Sequence, residues 1–232
     1  MDINEFIQKE LSGWGKYERI IFPAEILLII ILSVIMKDNK IALISAICGI
    51  SYTILAGKGK ISCYLFGLMG TLCYAFIAFK NYLFGNVGLY ICYYFPMQLV
   101  GIFKWRQHLK KETNEIQKIK LSNIERIIYT ILGIFFTIIC YFVLIKYHDK
   151  NPIFDSITTI FSVFGLLLTV KRCLEQWYVW IVVNGLSAIM WIQAYLNGSN
   201  CFATVIMWVT YFILAVYFLK NWEKDIRQQE MN

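Results

Sequence analysis

Apolar runs long enough to cross a bilayer recur along the whole chain. Bounded by charge or by Gly and Asn, they cover roughly residues 20–36, 40–57, 61–79, 86–105, 126–145, 153–170, 176–195 and 200–219. A membrane-crossing helix needs about 17–25 predominantly apolar residues, because backbone N–H and C=O groups in hydrocarbon must bond to one another. Hydrophobic residues are 59% of the 232 and charged ones only 16%, more apolar surface than a single soluble core hides. The fold class is therefore an all-α polytopic membrane protein of eight transmembrane helices, with no soluble domain of any size. Residues 1–19 hold Asp2, Glu5, Glu10 and Glu18, lack the apolar core of a cleavable signal, and predict a short interfacial helix.

Charge placement tests the helix count, since one missed or invented span would move every later loop to the other side. With eight spans, 17 of the 22 Lys and Arg residues fall on the side shared by both termini and five on the opposite side. That asymmetry puts both termini in the cytoplasm. The basic residues sit in the gaps between apolar runs, so the net charge of +7 orients the chain in its lipid bilayer and does not mark a nucleic-acid surface. Seven cysteines, without a Cys-x-x-Cys pair and with only His108 and His148 beside them, read as small core residues. They imply no metal and no cofactor.

Sliding residues 44–85 along by 113 positions pairs Ile44 with Ile157, Lys58 with Lys171, Tyr82 with Tyr195, Leu83 with Leu196 and Gly85 with Gly198. The span lengths match as well. Helices 2 to 4 and 6 to 8 then form two copies of one triple-helix unit, and the fifth helix between them makes the copies parallel. The expected organisation is 1+3+1+3. Residues 1–39 hold the interfacial segment and an extra helix, and 40–105 the first triple-helix bundle. Residues 106–152 hold a basic cytoplasmic loop and a linker helix, 153–222 the second bundle, and 223–232 a cytoplasmic tail. Gly67 and Gly70, three apart, allow a close helix approach.

Polar side chains inside the spans carry the functional signal. Trp177, Trp180, Asn184 and Trp191 share one face of the seventh helix at 100° per residue. A buried amide needs a hydrogen-bond partner, so Asn184 faces either a neighbouring helix or a wet cavity, and from this helix alone both stay open. The fourth helix places Tyr94, Gln98, Gly101 and Trp105 on one face, with Pro96 in the middle bending the helix and freeing a carbonyl as a candidate hinge. The eighth adds Thr204, Trp208, Tyr211 and Trp222. Planar rings and neutral amides suit a flat, polar heterocycle, cationic or not, bearing a sugar or an alcohol.

Glu25 is the one acid well inside an apolar run, and it lies in the first helix, outside both repeats. Ion-driven transporters generally place acids or clustered oxygen ligands at mid-membrane. The chain also lacks a phosphate-binding Gly-x-x-x-x-Gly-Lys-Ser/Thr loop and a converging nucleophile and base, so it reads as no enzyme and as a conduit for downhill flow.

At "FPMQLVGIFKW" (95–105) and "EQWYVWIVVN" (175–184) the sequence resembles the PnuC family of bacterial vitamin transporters, over about residues 40–222. The resemblance implies a SWEET-like fold of two parallel triple-helix bundles around a central substrate site, in the bacterial inner membrane. It implies nicotinamide riboside as the substrate, with thiamine or another vitamin as the alternative cargo. It places Trp177, Trp180 and Asn184, and Pro96, Met97 and Gln98, in the regions that line the site. It also implies facilitated diffusion, with a cytoplasmic nucleoside kinase trapping the product. Whether the chain forms a homo-oligomer is left open.

Overall fold

The computed structural model describes residues 8, 10, 12–35, 40–80, 82, 84–110, 113, 115–149, 151–198 and 202–231. Most of the expected interfacial helix, with Lys9, Lys37, Lys111, Lys150, Ser199 and Cys201, lies outside the described residues. Helix α1 is Glu18–Ile35, α2 Lys40–Gly57 and α3 Cys63–Lys80. Next come α4 (Phe84–Leu89), a π-helical turn (Tyr90–Tyr94) and α5 (Phe95–Arg106), which form one continuous span. Helices α6 (Asn123–Lys146), α7 (Pro152–Val170), α8 (Gln176–Leu196) and α9 (Phe202–Met231) complete the chain. Among the described residues the only non-helical pairings are three isolated bridges.

Among the described residues, seven spans are long and apolar enough to cross a membrane by length and composition. The eighth expected span is α1, whose 18 residues include Glu18, Arg19 and Glu25. Its surface still presents Ile20, Leu27, Val34 and Ile35 outward. Helix α6 shows the same inversion of a soluble pattern: Gly133 is its one buried residue, and Ile127, Ile131, Phe135 and Phe142 point out. Such a surface is untenable in water and natural in acyl chains. A Ser122–Glu125 capping box starts α6.

The chain divides into two compact units, Met1–Gln117 and Lys118–Asn232. In the first, α1 packs on α2, α2 on α3, and α3 on the α4–π–α5 span. In the second, α6 packs on α7, α7 on α8, and α8 on α9. The turn after the first helix of each triple is repeated bond by bond. In the first unit, Lys58 N donates to Ile54 O, Gly59 N to Ala56 O and Lys60 N to Leu55 O. In the second, Lys171 N donates to Leu167 O, Arg172 N to Thr169 O and Cys173 N to Leu168 O, each 113 residues further on. Gly59 and Arg172 both hold positive φ, 69° and 64°. Connector residues add a matching bond in each unit: Ile116 N to Gly59 O at 3.0 Å, and Ile119 N to Arg172 O at 3.1 Å.

Polar contacts secure these turns. Lys60 is 0% exposed and gives its ammonium to Thr113 O at 2.7 Å and Ser12 Oγ at 3.2 Å, with Glu115 at 3.6 Å. Burial pushes its pKa down, against the pull of Glu115 and Glu10. Burial pushes Glu10 up, against its bond from Ser62 and the charge of Lys60. Lys58 ties Gly13 O at 2.8 Å and Glu18 at 2.9 Å. In the second unit Glu175 accepts from Leu121 N at 3.1 Å and Arg126 Nε at 2.9 Å, and burial pushes the Cys173 thiol up to about 12.

Helix α9 runs to Met231, well past the expected end at 219. The extension is amphipathic and docked: Trp222 and Ile226 are buried, Lys118 pairs with Asp225, and its ammonium stands 5.1 Å over the Trp222 ring. Packing therefore carries a helix through a charged segment that hydropathy alone truncates.

Candidate functional site: two polar aromatic faces

Within the first unit, the face of α5 that carries Gln98, Gly101 and Trp105 is buried. Gln98 is 4% exposed and its Nε2 donates to Thr71 Oγ1 of α3 at 2.7 Å, while its Oε1 has no partner. The small residues set this approach. A Cβ on Gly67 would lie 2.5 Å from Gln98 Oε1 and 2.8 Å from the Tyr52 ring, and one on Gly101 would collide with the Tyr64 phenol. Gly70 likewise lets α3 close on Cys48. Tyr64 meets Trp105 edge to face at 5.0 Å. The hydroxyls of Tyr52 and Tyr64 are buried without partners. Unpaired buried polar atoms cost about 1–3 kcal/mol each, so three in one cluster, counting Gln98 Oε1, mark a place where fold stability is given up.

Pro96 opens α5 without breaking the span. A proline cannot donate to the ladder and its ring crowds the carbonyl four residues back. The chain answers with the π-helical turn, in which Phe95 N–H reaches Tyr90 O. That wider turn aligns Tyr90 and Tyr94 in a stack, with centroids at 4.8 Å and planes at 10°, and Tyr74 stacks on Tyr90 at 4.4 Å. Such turns recur at functional positions in helices.

Within the second unit, Trp177 is buried against Phe218 at 5.4 Å and Trp222 at 5.7 Å, its indole N–H unpaired. Trp180 lies across Gly165, where a Cβ would stand 3.0 Å from the indole, and donates to Thr169 Oγ1 at 3.3 Å. Asn184 is 6% exposed and donates from Nδ2 to the main-chain carbonyl of Tyr211 at 3.1 Å. Tyr211 also meets Trp208 edge to face at 5.8 Å. Trp191, further along α8, is 39% exposed. None of Gln98, Trp105, Trp177 and Asn184 is turned to the outer surface.

The two faces use equivalent positions. Gln98 with Thr71 and Asn184 with Tyr211 are both helix-to-helix amide bonds across 27 residues, 113 positions apart along the chain. The ring pairs Tyr64–Trp105 and Trp177–Phe218 correspond in the same way. Sliding the Trp177, Trp180, Asn184 pattern back by 113 lands on Tyr64, Gly67 and Thr71, a signal in the sequence that the tryptophan motif alone does not reveal. Tyr52, Thr169 and Gly165 carry no motif and emerge only from packing. Gln98, Asn184 and the rings packed beside them are uncharged, and among the described residues no group of three His, Cys, Asp or Glu is arranged to hold a metal.

A sequence model of a family described as nicotinamide mononucleotide transporter matches residues 39–224. The nicotinamide riboside transporter PnuC of Neisseria mucosa is 30% identical over 222 residues, covering 94% of this chain and 84% of the relative. The nicotinamide riboside transporter PnuC of Haemophilus influenzae is 28% identical over 226 residues, covering 95% and 96%. The crystal structure of the vitamin B3 transporter PnuC superposes with a TM-score of 0.79 at 28% identity, over 98% of this chain and 99% of that one. The chain belongs to the PnuC family of membrane transporters.

Proposed function

We propose that the chain carries nicotinamide riboside across the bacterial inner membrane by facilitated diffusion, and that phosphorylation by a cytoplasmic nucleoside kinase keeps the product inside. The observation that carries this reading is the repeated pairing of a buried carboxamide with aromatic rings, Gln98 in one unit and Asn184 in the other, without a charged side chain on either face. Rings offer flat surfaces that attract a pyridinium by about 0.5–2 kcal/mol, and amides select hydroxyls and carboxamides. The two curated relatives carry nicotinamide riboside in their names.

The same faces argue for the riboside over the mononucleotide named in the family description. A phosphate dianion calls for Lys, Arg or a cluster of backbone donors, and Gln98, Trp180, Asn184 and Tyr211 are all uncharged. Tyr94, Gln98, Trp180, Asn184, Trp208 and Tyr211 are the residues assigned to substrate contact. Trp105 and Trp177 back them from the packed interior, Trp191 stands further out on α8, and Pro96 is the hinge. In the membrane, α1 is the eighth span, both termini are cytoplasmic, and the spans follow the SWEET-like 1+3+1+3 order with parallel repeats.

Thiamine, also flat and cationic, is the alternative cargo. Purified protein titrated with nicotinamide riboside, nicotinamide mononucleotide, thiamine and riboflavin tests the reading. Binding of the riboside alone is expected; tighter binding of thiamine or the mononucleotide overturns it.

A further inference from the structure

We infer that Tyr52 is a substrate-recognition residue whose phenol, together with Gln98 Oε1, reads a sugar hydroxyl of the transported nucleoside. The inference rests on the transport reading above.

Tyr52 and Trp180 are reciprocal. In the second unit Trp180 of α8 lies across Gly165 of α7; in the first unit the ring comes from the other helix, Tyr52 of α2 lying across Gly67 of α3. Gly165 is the counterpart of Tyr52, and Gly67 that of Trp180, 113 positions apart. Each unit thus sets one aromatic ring on a glycine at the same helix contact. Because the donor helix is exchanged, a tryptophan pattern in the first repeat does not find it.

The two rings differ at their polar ends. Trp180 Nε1 is tied to Thr169 Oγ1. The counterpart of Thr169 in the first unit is Ala56, which has no hydroxyl to offer, and the Tyr52 hydroxyl is buried without a partner. Gln98 Oε1 is also unpaired, and it reaches the same glycine that the Tyr52 ring covers. A phenol that donates and a carbonyl that accepts complement one alcohol group, which accepts from the first and donates to the second. A site built this way rejects an analogue lacking the hydroxyl, since both protein groups are left unpaired.

The test is Tyr52→Phe in the full-length protein, titrated with nicotinamide riboside and with its analogue lacking the 2′- and 3′-hydroxyls, alongside thermal melts without ligand. Riboside affinity should fall about tenfold, equivalent to 1.4 kcal/mol, and affinity for the dideoxy analogue should stay as in wild type. The ligand-free melting temperature should hold or rise, because an unpaired polar atom has been removed. Unchanged riboside affinity, an equal fall for both ligands, or a lower ligand-free melting temperature overturns the role of Tyr52. Wild-type protein that binds neither compound overturns the transport reading itself.

Discussion

Asn184 spends its amide hydrogen on the carbonyl of Tyr211 at 3.1 Å, as Gln98 spends its own on Thr71 at 2.7 Å. Each amide joins two helices of its unit, and Gln98 keeps its buried Oε1 unpaired. Asn184→Leu and Gln98→Leu should each reduce nicotinamide riboside uptake by about 100-fold, the scale of two lost hydrogen bonds. The loss in melting stability should stay near 1 kcal/mol, one helix-to-helix bond. Uptake assays in cells with matched membrane levels check this; wild-type flux in either variant removes these residues from the site.

Gly165 holds open the space that the Trp180 indole fills: a Cβ there would stand only 3.0 Å from the ring, tighter than an ordinary contact. Gly165→Val should push the indole off its position and away from Thr169, costing about 1–3 kcal/mol in overpacking. Ligand affinity should fall with it. Gly165→Ala asks only for a shift of a few tenths of an ångström and should bind within a few-fold of wild type, as measured by titration.

Gly59 and Arg172 occupy equivalent left-handed positions, φ 69° and 64°. The conformation costs an ordinary L-residue about 1–2 kcal/mol and glycine almost nothing. Gly59→Ala should therefore lower stability by about 1 kcal/mol, and Gly59→Asn, which tolerates the left-handed region better, by less. Chemical denaturation in detergent reads both; an equal loss in the two variants, or none in either, would remove the backbone conformation as the cause.

Glu10 has its pKa raised from the ordinary 4.5 by burial. The folded protein then holds the proton more tightly than the unfolded chain. This contribution to stability is full below 4.5 and is lost as pH rises through the raised folded value. Glu10→Gln should flatten the dependence in that window just above 4.5, measured as melting temperature against pH. An unchanged slope in the variant places the dependence elsewhere.

Gln98, Asn184 and the rings beside them are uncharged, and the acid well inside an apolar run, Glu25, lies on α1. Uptake into kinase-free vesicles should therefore equilibrate at equal concentrations inside and out, without an ion gradient or ATP. Accumulation above the outside concentration would show a coupled ion.

Much of this protein is written in one dimension. Hydropathy alone locates eight helices, because a bilayer demands the same apolar length from each span, and the match of Lys58 with Lys171 pairs two turns that carry the same backbone bonds. The faces of Gln98 and Asn184 are legible because a costly amide in hydrocarbon announces itself. The sequence could not show that α9 continues to Met231, since that depends on Trp222 and Lys118, distant in the chain, meeting in the fold. Nor could it single out Tyr52, an unremarked tyrosine in an apolar run. Its partner is a bare glycine on another helix, and contact between helices is a property of packing that no local pattern records.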